Sequence, residues 1–250
     1  MPIEATTWLR ALRAAPNAHT VVVCFPPGGG SAGAYRALAQ QVGQGIAVYA
    51  VQYPGRQDRL GDPLVPDLTE LAEHVTADLL GWGAVPSLAL FGHSMGATVA
   101  FEVARRLQRE GRDPVQLFVS GRIAPDARYA GRLHVGSDAD LIADLERLAN
   151  DAASVSMLRD DAELAELVLP PLRADYRAVE TYVFEPGSPL RCPVSALLGE
   201  DDPTVTIEQA QEWRAHTDGE FEVTTFPGRH FYLDERVAEV AAYLAARLSP

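Results

Sequence analysis

The sequence has 250 residues and a formal net charge of −13, and all 21 of its basic residues are arginine. Because lysine is absent, chemistry that needs a lysine amine is excluded, such as pyridoxal-phosphate Schiff bases, lysine Schiff-base aldolases and P-loops. A chain this acidic also lacks the basic surface by which proteins bind nucleic acids.

Strands and helices are predicted to alternate along most of the chain. Short apolar runs predict strands at residues 20–25, 46–52, 88–91, 116–120, 194–198 and 221–226. Amphipathic spacing predicts helices at residues 35–41, 68–81, 95–110, 207–216 and 234–248. This alternation is typical of an α/β protein with a mostly parallel sheet and helices on both faces. We expect one domain spanning residues 1–250.

The alternation is interrupted between about residues 125 and 189, where helical spacing continues without a strand. Ser137 is the predicted N-cap of one amphipathic helix in this segment. Further on, the spacing predicts two helical stretches broken at Pro170 and Pro171. We interpret the segment as a helical insertion that forms a lid.

The location of the protein is indicated by its cysteines and its apolar runs. Cys24 and Cys192 lie in or beside apolar stretches and are predicted to be reduced core residues. The sequence shows neither a secretion signal nor an apolar run of membrane-spanning length. We therefore expect a cytoplasmic protein without a membrane partner.

The strongest motif is the G-x-S-x-G sequence at residues 92–96, which directly follows a predicted strand and opens a predicted helix. This is the context that a nucleophile elbow requires, so Ser94 is the candidate nucleophile. Residues 29–33 spell the same pattern. A short loop separates them from their strand, which leaves no sharp elbow, so Ser31 is the weaker candidate.

A glycine-rich loop follows the first predicted strand. Gly28, Gly30 and Gly33 match the dinucleotide-binding pattern G-x-G-x-x-G, but the next strand ends without the acidic residue that would hold a ribose. We favour an oxyanion loop instead, and no cofactor is expected. Since Pro27 has no N–H group, Gly28 and Met95 are the predicted backbone donors.

The serine needs a base and an acid. His230 lies in the loop before the C-terminal helix, where side chains reach the carboxyl edge of the sheet, and the other five histidines favour structural roles. Asp202 follows the predicted strand at 194–198, and Pro203 restrains it to an extended conformation. Asp201 is the alternative acid. The chain order serine, aspartate, histidine is that of the α/β-hydrolase fold.

Beyond these motifs, the sequence resembles the type II thioesterases that accompany modular polyketide and nonribosomal peptide synthases. The likeness covers nearly the whole chain, and the motifs at 52–56 and 172–177 are more specific to the family than the elbow. The resembling stretches are residues 24–31, 52–56, 92–96, 172–177, 199–203 and 228–233. The resemblance implies an α/β-hydrolase that removes stalled or misprimed acyl units from the phosphopantetheine arm of acyl or peptidyl carrier proteins, in antibiotic biosynthesis.

These residues predict a serine hydrolase mechanism through an acyl-serine, with no metal ion required. A carboxylesterase or lipase with the same triad and an acyltransferase are the nearest alternatives. A module that binds carrier proteins or ligands without catalysis is a further alternative, which the complete triad disfavours.

The predicted lid carries side chains that could contact an acyl chain, and packing against the body is their alternative role. These candidates are Leu141, Leu145, Leu148, Met157, Leu158, Leu167 and Tyr176. The chain departs from the family pattern at Pro27 and Gly28 and at residues 148–153. The acyl preference is therefore left open.

An acidic carrier protein would have to bind a local arginine patch on this acidic chain. The densest run of arginines contains Arg105, Arg106, Arg109 and Arg112. It is a candidate docking surface, with an ordinary solvated helix face as the alternative. We expect a monomer.

Overall fold

The computed structural model describes residues 6–83, 85, 87–127 and 131–249. In this part of the chain, seven strands form one sheet in the order β1-β3-β2-β4-β5-β6-β7. Strands β2 to β7 run parallel, and β1 pairs antiparallel with β3. The strands are β1 (Leu9–Arg13), β2 (Thr20–Phe25), β3 (Ile46–Val51), β4 (Leu88–His93), β5 (Gln116–Ser120), β6 (Val194–Gly199) and β7 (Phe221–Phe226). The predicted mostly parallel sheet is confirmed.

Helices cover both faces of this sheet, and none in the described residues is long and apolar enough to cross a membrane. They are α1 (Arg36–Gln41), α2 (Leu68–Gly81), α3 (Met95–Arg109), α4 (Asp138–Leu148), α5 (Ala152–Asp160), α6 (Ala162–Glu180), α7 (Ile207–Gln211), α8 (Tyr232–Glu235) and α9 (Val237–Leu248). Buried side chains of α2 and α3 pack on one face, and those of α1 and α9 pack on the other.

Strand β2 shows why the central strands are continuous apolar runs. Val21, Val23 and Phe25 pack into the core on the α2 and α3 side, whereas Val22 and Cys24 pack into the core on the α1 and α9 side. A parallel strand that is buried on both faces is therefore a nearly continuous apolar run. Cys24 and Cys192 are both buried and unpaired, as predicted.

Outside the predicted lid, one strand and two helices differ from the sequence prediction by more than a shift of one or two residues at an end. The edge strand β1 was not predicted, because its arginines and partly exposed positions break the apolar run. The helix predicted at 207–216 consists of α7 followed by a 3₁₀ helix, Glu212–His216. The helix predicted at 234–248 is divided into α8 and α9.

The helices α4, α5 and α6 lie between β5 and β6, where the lid insertion is predicted. Residues 128–130 of that predicted segment lie outside the described residues. Ser137 caps α4: its side chain accepts from the backbone N–H of Asp140, whose carboxylate accepts from the backbone N–H of Ser137.

The predicted break at Pro170 and Pro171 is wrong, because both prolines lie inside the single helix α6. Each proline removes one backbone donor, but the helix is held on both sides of them by burial. Leu169 and Leu172 flank the prolines and pack against the buried Leu141 of α4. Tertiary packing thus outweighs the local preference for a break.

Candidate active site

Ser94 lies at a sharp turn between β4 and α3, with φ 54° and ψ −121°. A non-glycine residue with these backbone angles costs about 1–3 kcal/mol, and it keeps them only when the surrounding structure enforces them. A Cβ on Gly92 would overlap the backbone of α3, and one on Gly96 would overlap the backbone of Phe25. The turn is also fixed by the Ser94 N–H, which donates to the carbonyl of Ser120 at 2.8 Å. This close packing holds Ser94 in the strained conformation of a nucleophile elbow.

Ser31, the alternative serine, has a different conformation. Its φ is −131° and its ψ is 169°, which is ordinary extended backbone at the start of a 3₁₀ helix. Of these two serines, only Ser94 lines the cleft that Gly28, Met95 and His230 also border.

His230 follows β7 and also lines the cleft that contains Ser94. Its Nδ1 lies 2.9 Å from Oδ2 of Asp202 and 3.1 Å from Oδ1. Both side chains are buried. An ionised carboxylate only accepts hydrogen bonds, so Nδ1 carries the proton and Nε2 is left as the basic nitrogen.

Thr204, which the sequence did not single out, completes the surroundings of Asp202. Its backbone N–H and its hydroxyl both donate to Oδ1 of Asp202, at 2.8 and 2.7 Å. Burial by itself raises the pKa of Asp202, but the hydrogen bonds from His230 and Thr204 outweigh it and hold the pKa below its ordinary value. The signal for Thr204 was its spacing, since an aspartate often accepts from the N–H two residues on.

Asp201, the alternative acid, is exposed. Its backbone N–H donates to the carbonyl of Gly228 at 3.0 Å. The geometry therefore pairs His230 with Asp202.

His93 is a further buried imidazole beside the site. Its ring centroid lies 4.9 Å from that of His230, and its Nδ1 lies 2.9 Å from Oγ of Ser120, which in turn lies 2.6 Å from Oη of Tyr232. Among the described residues, Nε2 of His93 has no hydrogen-bond partner. Burial and, to a smaller extent, the neighbouring His230 lower the pKa of His93 to about 3. His93 is therefore a neutral packing partner of His230.

The glycine-rich loop borders the cleft. The Gly29 N–H donates to Oδ2 of Asp175 at 2.7 Å, and the Gly30 N–H donates to the carbonyl of Pro27 at 2.9 Å. In the described part of the chain, the N–H groups of Gly28 and Met95 have no acceptor, and both residues line the cleft. Both N–H groups therefore stay available as the predicted oxyanion donors.

The cleft encloses about 680 Å³, its open mouth included. Three of the lid candidates, Leu145, Leu148 and Tyr176, line it. The other four candidates do not line this cleft. Leu141 and Leu158 are buried within the lid itself, and Met157 and Leu167 are exposed by 55% and 46%. Helical spacing identified the apolar positions but not which of them turn toward the cleft.

The predicted arginine patch is mostly engaged within the molecule. Arg105 and Arg106 bind opposite oxygens of the buried Glu102, at 2.8 and 2.6 Å. Arg112 donates to carbonyls at the end of α2. Arg109 is exposed. These contacts favour the alternative interpretation, an ordinary helix face.

The chain is similar in sequence to known thioesterases. Residues 20–248 match the model of the thioesterase domain. The chain is 42% identical to thioesterase PikA5 of Streptomyces venezuelae, over 95% of this chain and 84% of the relative. It is also 42% identical to a probable cadicidin biosynthesis thioesterase of Streptomyces griseus, over 98% of this chain and 67% of the relative.

A solved structure is similar over the whole chain. It is the type II thioesterase BorB from the borrelidin biosynthetic cluster, with a TM-score of 0.88 and 42% identity over 98% of this chain and 99% of that one. The chain therefore belongs to the thioesterase family, among the type II thioesterases of polyketide and nonribosomal peptide pathways.

Proposed function

We propose that this thioesterase hydrolyses acyl thioesters held on the phosphopantetheine arm of acyl or peptidyl carrier proteins, with Ser94, His230 and Asp202 as its catalytic triad. One observation carries the proposal: the strained Ser94 and His230, which is paired with the buried Asp202, line one cleft. Nucleophile, base and orienting acid are the groups that acyl transfer through a serine requires.

The chemistry follows from the roles of the atoms. Nε2 of His230 takes the proton of the Ser94 hydroxyl as Oγ attacks the thioester carbonyl carbon. The N–H groups of Gly28 and Met95 stabilise the negative charge that develops on the carbonyl oxygen. When the carbon–sulfur bond breaks, His230 returns the proton to the departing thiolate, which leaves an acyl-serine.

Water completes the reaction. His230 removes a proton from a water molecule as the water attacks the acyl-serine. When the second tetrahedral intermediate collapses, His230 gives that proton to Oγ of Ser94 and a carboxylic acid is released. Asp202 stays ionised and stabilises the imidazolium in both steps.

The lining of the cleft suits an acyl group. Met95, Ile123, Leu145, Leu148 and Val179 supply apolar surface around Ser94. Apolar surface favours an acyl chain, while the few polar groups orient the reacting carbonyl.

The remaining parts of the proposal concern the whole chain. We infer that residues 1–250 act as one domain and that the segment 125–189 works as its lid. A monomer that acts on carrier proteins in the cytoplasm is the arrangement we propose.

A substrate panel tests this function. An acyl-carrier protein, the matching acyl-coenzyme A and a simple oxygen ester with the same acyl group are compared, with Ser94→Ala as control. We expect the carrier-bound thioester to have the highest kcat/KM, the product to be a free acid, and the Ser94→Ala variant to be inactive. Equal cleavage of the oxygen ester would favour a carboxylesterase, and an ester or amide product would favour an acyltransferase.

A further inference from the structure

The two family-specific motifs, at residues 52–56 and 172–177, come into contact beside the glycine-rich loop at residues 28–30. Arg56 follows β3, Asp175 lies on α6, and Nη2 of Arg56 binds Oδ2 of Asp175 across 119 residues of sequence. Arg56 is 8% exposed and Asp175 is 3% exposed. Burial raises the pKa of Asp175 above its ordinary value, and Arg56 and the Gly29 N–H oppose that shift by stabilising the ionised carboxylate. A buried carboxylate is strongly destabilising when its charged partner is removed, so Asp175 and Arg56 depend on each other.

The same carboxylate oxygen holds the loop. Oδ2 of Asp175 accepts the Gly29 N–H at 2.7 Å, which is a charge-assisted hydrogen bond. The loop also lies directly on α6. A Cβ on Gly29, whose φ is 74°, would lie 3.0 Å from Cδ1 of Leu172, and one on Gly28 would lie 3.6 Å from Cβ of Asp175.

The far end of the loop is held by the same motif that supplies Arg56. Oε1 of Gln52 accepts the Ala32 N–H at 3.1 Å, and its Nε2 donates to the carbonyl of Arg56 at 3.2 Å. Three consecutive glycines would otherwise sample many backbone conformations. An oxyanion donor is effective only when it is already aligned before the charge develops.

We propose that Arg56 and Asp175 are positioning residues of the oxyanion loop, which hold Gly29 in place so that the neighbouring Gly28 N–H faces the oxyanion. The inference rests on the proposed function, since an oxyanion forms only if Ser94 attacks an acyl group. It also couples the lid to catalysis, because Asp175 lies on the same helix as the cleft residues Tyr176 and Val179.

The test compares Asp175→Ala with the isosteric Asp175→Asn, which keeps an oxygen that can accept from Gly29. The control is Asp138→Ala, which breaks the 2.5 Å ion pair with Arg173 at the exposed side of the lid. Each variant is titrated with a fluorophosphonate to count active sites. The kcat and KM for an acyl thioester are then measured, together with the inhibition constants of a trifluoromethyl ketone and of an unreactive thioether analogue.

We expect Asp175→Ala to lower kcat per active site by about tenfold or more, with KM within about threefold of the wild type. The trifluoromethyl ketone forms an oxyanion with Ser94, so its inhibition constant should rise by the same factor, whereas that of the thioether should not. Asp175→Asn should lose less, and Asp138→Ala should match the wild type.

An unchanged kcat per active site, a change in KM alone, or equal weakening of both inhibitors would overturn the inference. If Asp175→Ala does not fold, Arg56→Lys provides the same readouts, because lysine keeps the charge but lacks the planar fork of arginine. A wild-type protein that cleaves no thioester, or an active Ser94→Ala variant, would instead contradict the proposed function.

Discussion

Asp202 controls which nitrogen of His230 is basic. Its carboxylate accepts a hydrogen bond from the Nδ1–H group of His230 and two further hydrogen bonds from Thr204. The three bonds stabilise the ionised carboxylate and fix its orientation, which in the proposed mechanism leaves Nε2 of His230 as the base.

Replacing Asp202 by asparagine should lower kcat by about 10³- to 10⁴-fold, because an amide can present an N–H to His230 and stabilise the wrong tautomer. The neighbouring Asp201→Asn variant is the matched control, and its exposed side chain predicts activity within about twofold of the wild type. Steady-state hydrolysis of an acyl thioester measures the kcat of both variants. A larger loss in the Asp201 variant would assign the acid to Asp201.

His93 makes the protein sensitive to acid. Burial lowers its pKa from 6.5 to about 3, so the folded protein binds this proton more weakly than the unfolded chain does. Neutral His93 therefore makes its full contribution to the free energy of unfolding above about pH 6.5, and this contribution is lost as the pH falls toward 3.

Between about pH 7 and pH 4.5, the wild type should therefore lose on the order of 2 kcal/mol more unfolding free energy than His93→Asn. Urea unfolding of both proteins at the two pH values measures this difference, in which the titrating groups far from His93 cancel. Equal losses would mean that His93 does not titrate as its burial requires.

At the scale of elements, prediction from sequence succeeded where the signal is local. Strands such as β2 are continuous apolar runs because both of their faces are buried, and Ser94, Asp202 and His230 each follow a strand that the sequence reveals. The edge strand β1 and the unbroken helix α6 depend on packing instead. The ion pair of Arg56 with Asp175 spans 119 residues, so no local pattern contains it.

The lid contributes to the cleft through one face of α4 and one face of α6. Leu145 of α4 lines the cleft, whereas Met157 of α5 is 55% exposed. Substitutions at these two positions can therefore distinguish a role in substrate binding from a general effect of changing the proposed lid.

A Leu145→Trp substitution should fill part of the cleft and lower kcat/KM for long acyl chains by about tenfold relative to acetyl, since misfit in a packed site costs about 1–3 kcal/mol. The Met157→Trp control should leave the preference unchanged. Competition between acyl-carrier proteins of different chain length measures the ratio. A shift in the control but not in the Leu145 variant would place the acyl chain elsewhere.

For the whole molecule, a net charge of −13 restricts how an acidic carrier protein can bind. Arg105 and Arg106 neutralise the buried Glu102, which also accepts a hydrogen bond from Tyr182 at 2.8 Å. Their charges serve the stability of α3 and its contacts rather than an open docking surface.

Accordingly, Arg106→Ala should lower the unfolding free energy by about 1–3 kcal/mol, because it leaves a buried carboxylate less well paired. The KM for an acyl-carrier protein should stay within about twofold of the wild type. The exposed Arg109→Ala serves as the comparison and should change neither quantity. An Arg106→Ala variant with normal stability and a raised KM would restore the arginine run as the docking site.

The acyl-serine intermediate tests the central claim most directly. The wild-type protein is mixed with an acyl-carrier protein, quenched with acid at short times, digested and examined by mass spectrometry, with Ser94→Ala treated in parallel. We predict that the acyl mass appears transiently on Ser94 and nowhere in the variant. An acyl group on Ser31 or another residue, or free acid released at the wild-type rate by Ser94→Ala, would contradict the account.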